Sequence, residues 1–224
     1  LGVSEDRIFL SPPDVGEREV EMAASAIRSG WVAPVGPFLS EFEASIAALS
    51  GRDFAIGVSS GTAGLHLSLL ALGVGRGDLV LCSTLTFVAT ANAVTYTGAL
   101  PVFIDSLPET GNMSPKLLRE AIVDLKNQGQ SIGAILPVDF LGKVADYQAI
   151  LEIADEFEIP VVADAAESLG ATRDGQPAGS FGRVAVFSFN GNKIATTSGG
   201  GMVVTDDEVI SERVRHLATQ AREP

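Results

Sequence analysis

Phe187–Met202 reads FSFNGNKIATTSGGGM, and it lies between two apolar, strand-like ends, Val184–Phe187 and Met202–Val204. The segment sets Lys193 among small and hydroxyl-bearing residues, ahead of Gly199, Gly200 and Gly201, which permit a turn closed to residues with side chains. Of the other lysines, Lys116, Lys126 and Lys143 sit in polar surroundings that suit solvated surface; Lys193 does not. An amine held in a tight, partly dry site can lose its proton and attack a carbonyl, the chemistry of Schiff-base lysines. The competing reading is a lysine in an ordinary surface loop. The rest of the sequence decides between them.

Outward from this segment, helix-like and strand-like stretches alternate. Apolar periodicity predicts helices over Glu17–Arg28, with Val20, Ala23, Ala24 and Ile27 on one face, and Phe38–Leu49, with Phe38, Phe42, Ile46 and Leu49 on one face. Further helices are predicted over Thr62–Leu72, Val88–Tyr96, Pro115–Leu125, Tyr147–Phe157 and Glu208–Thr219. Ser114 reads as an N-cap with Pro115 at the first helical position. Short apolar strands are predicted over Phe54–Val58, Leu79–Cys82, Pro101–Ile104, Ile132–Leu136 and Val161–Ala163, besides the two already named. Apolar strands between helices imply an α/β fold, with a mainly parallel seven-stranded sheet covered by helices on both faces.

Composition limits what such a chain does. The 224 residues carry a formal net charge of −13, which argues against a nucleic-acid partner, because phosphate backbones are bound through basic surface. A small phosphorylated ligand is still allowed, since a few backbone N–H groups and hydroxyls can hold one. The hydrophobic fraction of 46% against 19% charged residues describes a sizeable core and not a disordered chain. Cys82 is the single cysteine, so no intrachain disulfide forms and the chain fits a reducing, cytoplasmic compartment. With His66 and His216 as the only histidines, no Cys/His zinc cluster can be assembled, and no metal site is expected. No signal pattern and no apolar run of bilayer length is present, so no membrane association is expected. Residues 1–224 read as one large domain, and the ending Gln220–Pro224 suggests a chain cut within a longer protein.

In open parallel sheets, ligands bind at the carboxyl ends of the strands, and four stretches follow strand ends here. SSGTAGL, Ser59–Leu65, is either an anion cradle at a helix start or a simple N-cap. Phe87, after the Leu79–Cys82 strand, either stacks on a flat ring or belongs to the core. Asp164 ends an apolar strand, where an unpaired carboxylate is costly. It either meets a cation such as a protonated pyridine or caps a helix near Ala165, with Glu167 completing a capping box. Ser188 precedes the lysine segment and offers a second hydroxyl for a phosphate. Jointly these parts describe a pyridoxal phosphate site.

These stretches resemble the DegT/DnrJ/EryC1/StrS group of fold-type I pyridoxal phosphate enzymes, the nucleotide-sugar aminotransferases. The resemblance runs from Phe9 to Pro224. It is carried by LSPPDVGEREVE, SGWVAPVGPFLSEFE, SSGTAGLHLSLLALGV, DAAESLGA, SFNGNKIATTSGGGM and ATQAREP, which look most like the bacillosamine-pathway transaminases. The resemblance implies the large domain of that fold, with a small C-terminal domain missing. It implies pyridoxal 5'-phosphate as cofactor. Lys193 would be its covalent and acid/base residue, Asp164 the partner of the pyridinium nitrogen, and Gly61, Thr62 and Ser188 the phosphate ligands. Phe87 would stack on the ring and Glu167 would lie near its hydroxyl. Trp31, Val32 and Pro34, in the Trp31–Pro37 loop, would lie near the sugar nucleotide, and Asn190 and Asn192 would flank the lysine. The implied reaction moves the amino group of L-glutamate to C4 of a UDP-linked 4-keto-6-deoxy-N-acetylhexosamine, in a homodimer with shared active sites. Sugar dehydratases of this group carry His at the lysine position, so Lys193 favours transamination. The remaining alternatives are such a dehydratase and a non-catalytic cofactor-binding regulator.

Overall fold

The structure, a computed structural model, describes residue 8 and residues 11–221. Phe9, Leu10 and Arg222–Pro224, at the outer limits of the family-like stretches, lie outside the described residues. Seven α-helices are found among the described residues: α1 (Glu17–Arg28), α2 (Pro37–Ser50), α3 (Gly61–Ala71), α4 (Ala89–Thr97), α5 (Pro115–Asn127), α6 (Tyr147–Phe157) and α7 (Glu208–Ala218). The strands are β1 (Phe54–Val58), β2 (Asp78–Ser83), β3 (Leu100–Ile104), β4 (Ser131–Leu136), β5 (Val162–Asp164), β6 (Thr172–Arg173), β7 (Gln176–Pro177), β8 (Val184–Ser188) and β9 (Gly201–Thr205). The short β6–β7 hairpin is the one strand pair absent from the sequence reading. Its two-residue strands are too short to show a period.

The other seven strands make the central layer. Strands β1, β9, β8 and β5 form one sheet and β3, β2 and β4 another. The two meet at parallel bridges between Ile135 and Val161 and between Val138 and Asp164. The layer therefore runs β3-β2-β4-β5-β8-β9-β1. Only β9 runs against its neighbours, pairing antiparallel with both β8 and β1. This agrees with a mainly parallel seven-stranded sheet. Side chains alternate across it: Val80 and Cys82 enter one core and Leu81 the other, and Val184 and Val186 part from Ala185 and Phe187 in the same way. Helices α2, α5 and α6 cover one face through Ile46, Leu118, Ile122, Ile150 and Ile153. Helices α3, α4 and α7 cover the other through Leu65, Leu69, Ala93, Val94, Ile210 and Val214. Burial on both faces is why these strands read as continuously apolar.

Two predicted faces need correction. Leu49 was placed with Phe38, Phe42 and Ile46, but it is exposed, and Ser50 is buried instead with its hydroxyl donating to the carbonyl of Ile46. The apolar stripe of α1 is real in pattern, yet Val20 and Ile27 are exposed and α1 buries no residue. The Ser114 cap is as expected: its hydroxyl accepts from the Leu117 N–H, with Pro115 leading α5.

Candidate active site

The carboxyl ends of β5 and β8 and the starts of α3 and α4 enclose a cavity of about 760 Å³, a volume suited to a cofactor-sized ligand. Gly61, Thr62, Phe87, Asp164, Glu167, Ser188, Asn190, Asn192 and Lys193 all line it. The structure thus brings together the residues that the sequence scatters over 130 positions, from Gly61 to Lys193.

The loop after β8 turns Lys193 into this cavity. Its backbone N–H donates to the carbonyl of Asn190, and the Asn190 amide donates to the Asn192 side-chain oxygen. The Lys193 side chain is 12% exposed, and its Nζ donates to Glu167 Oε1 at 3.0 Å. Glu167 Oε2 in turn accepts from the Leu141 N–H at 3.0 Å. The amine is therefore held by a carboxylate that is itself tied to the loop after β4. The glycines that follow allow close approach: a Cβ on Gly201 would meet the Ser60 carbonyl carbon at 2.6 Å. The turn after β8 thereby seats directly on the start of α3.

Asp164 closes β5 and is buried. Its N-cap reading is set aside, as is the capping box with Glu167, because residues 165–170 form turns and no helix begins there. Asp164 Oδ2 accepts from the Thr90 hydroxyl at 2.7 Å, and Oδ1 accepts from the Ala166 N–H at 3.2 Å. Burial pushes its carboxyl above the usual range. The Thr90 and Ala166 bonds and the Lys193 charge oppose that rise, and Glu167 adds to it. Among the described residues no Lys, Arg or His forms an ion pair with it. Lys193, in the same cavity, is paired with Glu167, so the buried Asp164 carboxylate suits a ligand that brings a cation of its own.

At the opposite wall both readings of SSGTAGL hold. Ser60 caps α3, accepting from the Ala63 N–H at 3.0 Å. Gly61 stands against Ser188 so closely that a Cβ there would meet Ser188 Cβ at 2.9 Å. The helix start and the Ser188 hydroxyl therefore face one spot, where an anion meets N–H groups and the positive end of the helix dipole. Phe87 is 72% exposed and lines the cavity, which removes its core reading. A ligand with an anionic group, a flat ring and a cationic ring nitrogen fits these walls, and pyridoxal phosphate has all three.

Trp31 and Pro34 line an adjoining, mostly apolar cavity of about 720 Å³, which shares Ser59, Gly199 and Gly200 with the first. Val32 is 76% exposed and lines neither cavity. Sequence reasoning missed Thr90, the Leu141 N–H and Asp139. Asp139 is fully buried, accepting from the Ala145 N–H and the Ser168 hydroxyl, while its own N–H donates to the carbonyl of Asp164. The spacing of Thr86 and Thr90, one helical turn apart at a helix start below a strand end, was the available signal for the first.

Known proteins place this arrangement. The DegT/DnrJ/EryC1/StrS aminotransferase family matches residues 13–224. The chain is 49% identical over 218 residues to EpsN of Bacillus subtilis (strain 168), whose name describes a pyridoxal phosphate-dependent aminotransferase; the match covers 97% of this chain and 56% of that protein. It is 40% identical over 218 residues to the GDP-perosamine synthase of Caulobacter vibrioides, covering 97% of this chain and 57% of that one. Its fold matches Spr1654 of Streptococcus pneumoniae, a sugar aminotransferase by name and solved in its PMP form, with a TM-score of 0.86 at 30% identity, over 94% of this chain and 56% of the other. The chain thus spans little more than half the length of the relatives it matches. Over that span the sequence, the fold and a cavity suited to pyridoxal phosphate agree, and the chain belongs to the DegT/DnrJ/EryC1/StrS aminotransferase family.

Proposed function

We propose that the whole protein transfers the amino group of L-glutamate to C4 of a UDP-linked 4-keto-6-deoxy-N-acetylhexosamine, giving a UDP-4-amino sugar and 2-oxoglutarate. The observation that carries the reaction class is the enclosure of one amine, Lys193, and one buried carboxylate, Asp164, in the same cavity as the Gly61–Ser188 anion cradle. When bound, pyridoxal phosphate supplies a carbonyl that condenses with amines and a ring that accepts electrons. This chain's residues do the rest. Gly61, Thr62 and Ser188 hold the phosphate, and Phe87 lies against the ring face. Asp164 holds the proton on the ring nitrogen, which keeps the ring electron-poor. Lys193 would hold the cofactor through its amine and, once free, would serve as the acid/base group that moves the proton. Glu167 keeps that amine in place when it is released. Asn190 and Asn192 flank it. Trp31, Val32 and Pro34, on the loop beside the adjoining cavity, form the approach for the sugar nucleotide.

The UDP-linked, bacillosamine-type substrate rests on the family-like stretches quoted above. Phe87 and Leu141 line the site and are exposed, and Leu85 and Val88, beside Phe87 in the chain, are exposed as well. A surface of this kind suits a homodimer in which a second copy completes each site. No helix among the described residues is long and apolar enough to cross a membrane. The cytoplasm, where nucleotide sugars are made, is the proposed compartment. The test is mass spectrometry of the full-length protein's product from pyridoxal phosphate, L-glutamate and either UDP-4-keto-6-deoxy-N-acetylglucosamine or a GDP-linked 4-keto-6-deoxy sugar. A UDP-4-amino sugar with an equal amount of 2-oxoglutarate is the expected result. Amination of the GDP sugar alone would overturn the substrate. Loss of water from C3 without nitrogen transfer would overturn the reaction. Lys193→Ala is expected to abolish turnover.

A further inference from the structure

We propose that Thr90, with Thr86 behind it, is a positioning residue that keeps Asp164 ionised and its carboxylate turned to the cavity. The inference rests on the cofactor reading in one respect, that Asp164 serves a ring nitrogen.

Thr90 lies in the first turn of α4 and is fully buried. Its Oγ1 is 2.7 Å from Asp164 Oδ2 and 2.7 Å from Thr86 Oγ1. A hydroxyl has one proton, and an ionised carboxylate can only accept. The Thr90 proton therefore points at Asp164, and the contact between the two threonines uses the proton of Thr86. Both protons run the same way, toward the carboxylate, and each bond polarises the next. With the Ala166 N–H on Oδ1, the two bonds fix the carboxylate plane.

Of the charged and titratable neighbours only Lys193 favours the ionised form, and it does so less than the Thr90 bond. Lys193 faces Asp164 from the loop after β8, but its ammonium is engaged by Glu167. Glu167, from the turn after β5, repels a negative Asp164. Asp139, from the loop after β4, and Tyr147, from α6, both feel the Asp164 charge, and a second carboxylate favours neutralisation of the first. Against burial, the Thr90 bond is the largest opposing influence on Asp164. A ring nitrogen keeps its proton only while its partner is an anion, so the neutral hydroxyl pair sustains the charge that the chemistry needs. Because Phe87 precedes Thr90 by three residues, one helix start carries both a ring-facing aromatic and the support of the aspartate.

The experiment uses full-length protein with Thr90→Val, which keeps the shape and removes the hydroxyl, and Thr90→Ser, which keeps the hydroxyl. Carbon-13 NMR of the aspartate carboxyls in the cofactor-free protein, with Asp164 assigned through Asp164→Asn, reports the titration directly. Loss of a hydrogen bond to the charged form is expected to raise the Asp164 midpoint by about one to two pH units in Thr90→Val. The acid limb of the kcat profile should rise in the same direction, and Thr90→Ser should restore both. An unmoved midpoint in Thr90→Val, or a Thr90→Ser protein that behaves like it, overturns the inference. If the midpoint moves but pyridoxal phosphate gives the same spectrum with wild type and Lys193→Ala, the support of Asp164 stands and the cofactor reading falls.

Discussion

The turn after β5 and the loop after β4 lie side by side, and each is anchored by a buried aspartate. Asp164 and Asp139 are even joined through the backbone, the N–H of Asp139 donating to the carbonyl of Asp164. Their surroundings differ. Asp164 has one side on the cavity and accepts from a threonine and one backbone N–H. Asp139 is closed in on all sides, bonded to the Ala145 N–H and the Ser168 hydroxyl. Burial pushes its carboxyl up to about 6 against those bonds. The Tyr147 hydroxyl comes near it without a hydrogen bond of proper geometry, and Tyr147 stacks on Phe181. Two buried acids of one type thus serve different ends: one presents a charge to a ligand, and the other ties the loop that bears Leu141 to the turn that bears Glu167. Burial alone does not mark a catalytic acid. The open side does.

The largest expected contrast is in activity. Asp164→Asn keeps the shape and removes the charge, and it is expected to slow amino transfer by about 100- to 1,000-fold, the scale of losing one preorganised electrostatic group. Asp139→Asn should leave the rate within a few-fold. Steady-state kinetics of the two full-length variants checks this, and equal losses would erase the distinction.

Stability against pH sharpens it. Asp139 titrates higher in the folded state than its ordinary value of 3.8, so the folded protein binds more protons between about 4 and 6. The stabilisation tied to that proton is fully present below the unfolded pKa and is lost as pH rises through about 6. Between pH 4 and 7 the unfolding free energy of wild type should fall relative to Asp139→Asn by up to about 3 kcal/mol, from two units at 1.36 kcal/mol each. Denaturant unfolding at both pH values measures it, and a pH-independent difference would place the charge of Asp139 outside the stability of this loop. Ser168→Ala removes a hydrogen bond to the same carboxylate and should cost about 2 kcal/mol at pH 7. The cost should be smaller at pH 4.5, where Asp139 is protonated. The smallest effect is expected from Tyr147→Phe. Its hydroxyl is buried with no hydrogen-bond partner among the described residues. Deleting it keeps the ring stack and should change thermal stability by less than about 1 kcal/mol, in the stabilising direction.

Much of this was legible in the chain. All seven strands of the central layer and all seven helices appear in the apolar pattern, because burial on both faces leaves continuous apolar runs that helices punctuate. Lys193, Asp164, Gly61, Thr62, Phe87, Glu167 and Ser188 line one cavity, and they could be picked out in the chain because each lies at or after a strand end, the place where parallel sheets put their ligands. Leu49 and α1 show the limit. Periodicity reports that an apolar face exists, and α5 buries Leu118 and Ile122 with such a face while α1 buries nothing. What covers a face is a property of the assembly and not of the segment.

The sequence by itself determined the element types, the α/β class and the residue chemistry of the site, since these follow from local periodicity, turn chemistry and side-chain identity. Only the tertiary structure decided the strand order, the antiparallel β9, the Lys193–Glu167 pair, and the threonine and second aspartate around Asp164. Those depend on which segments far apart in the chain come within 3 Å of each other, and no local pattern encodes a distance across the fold.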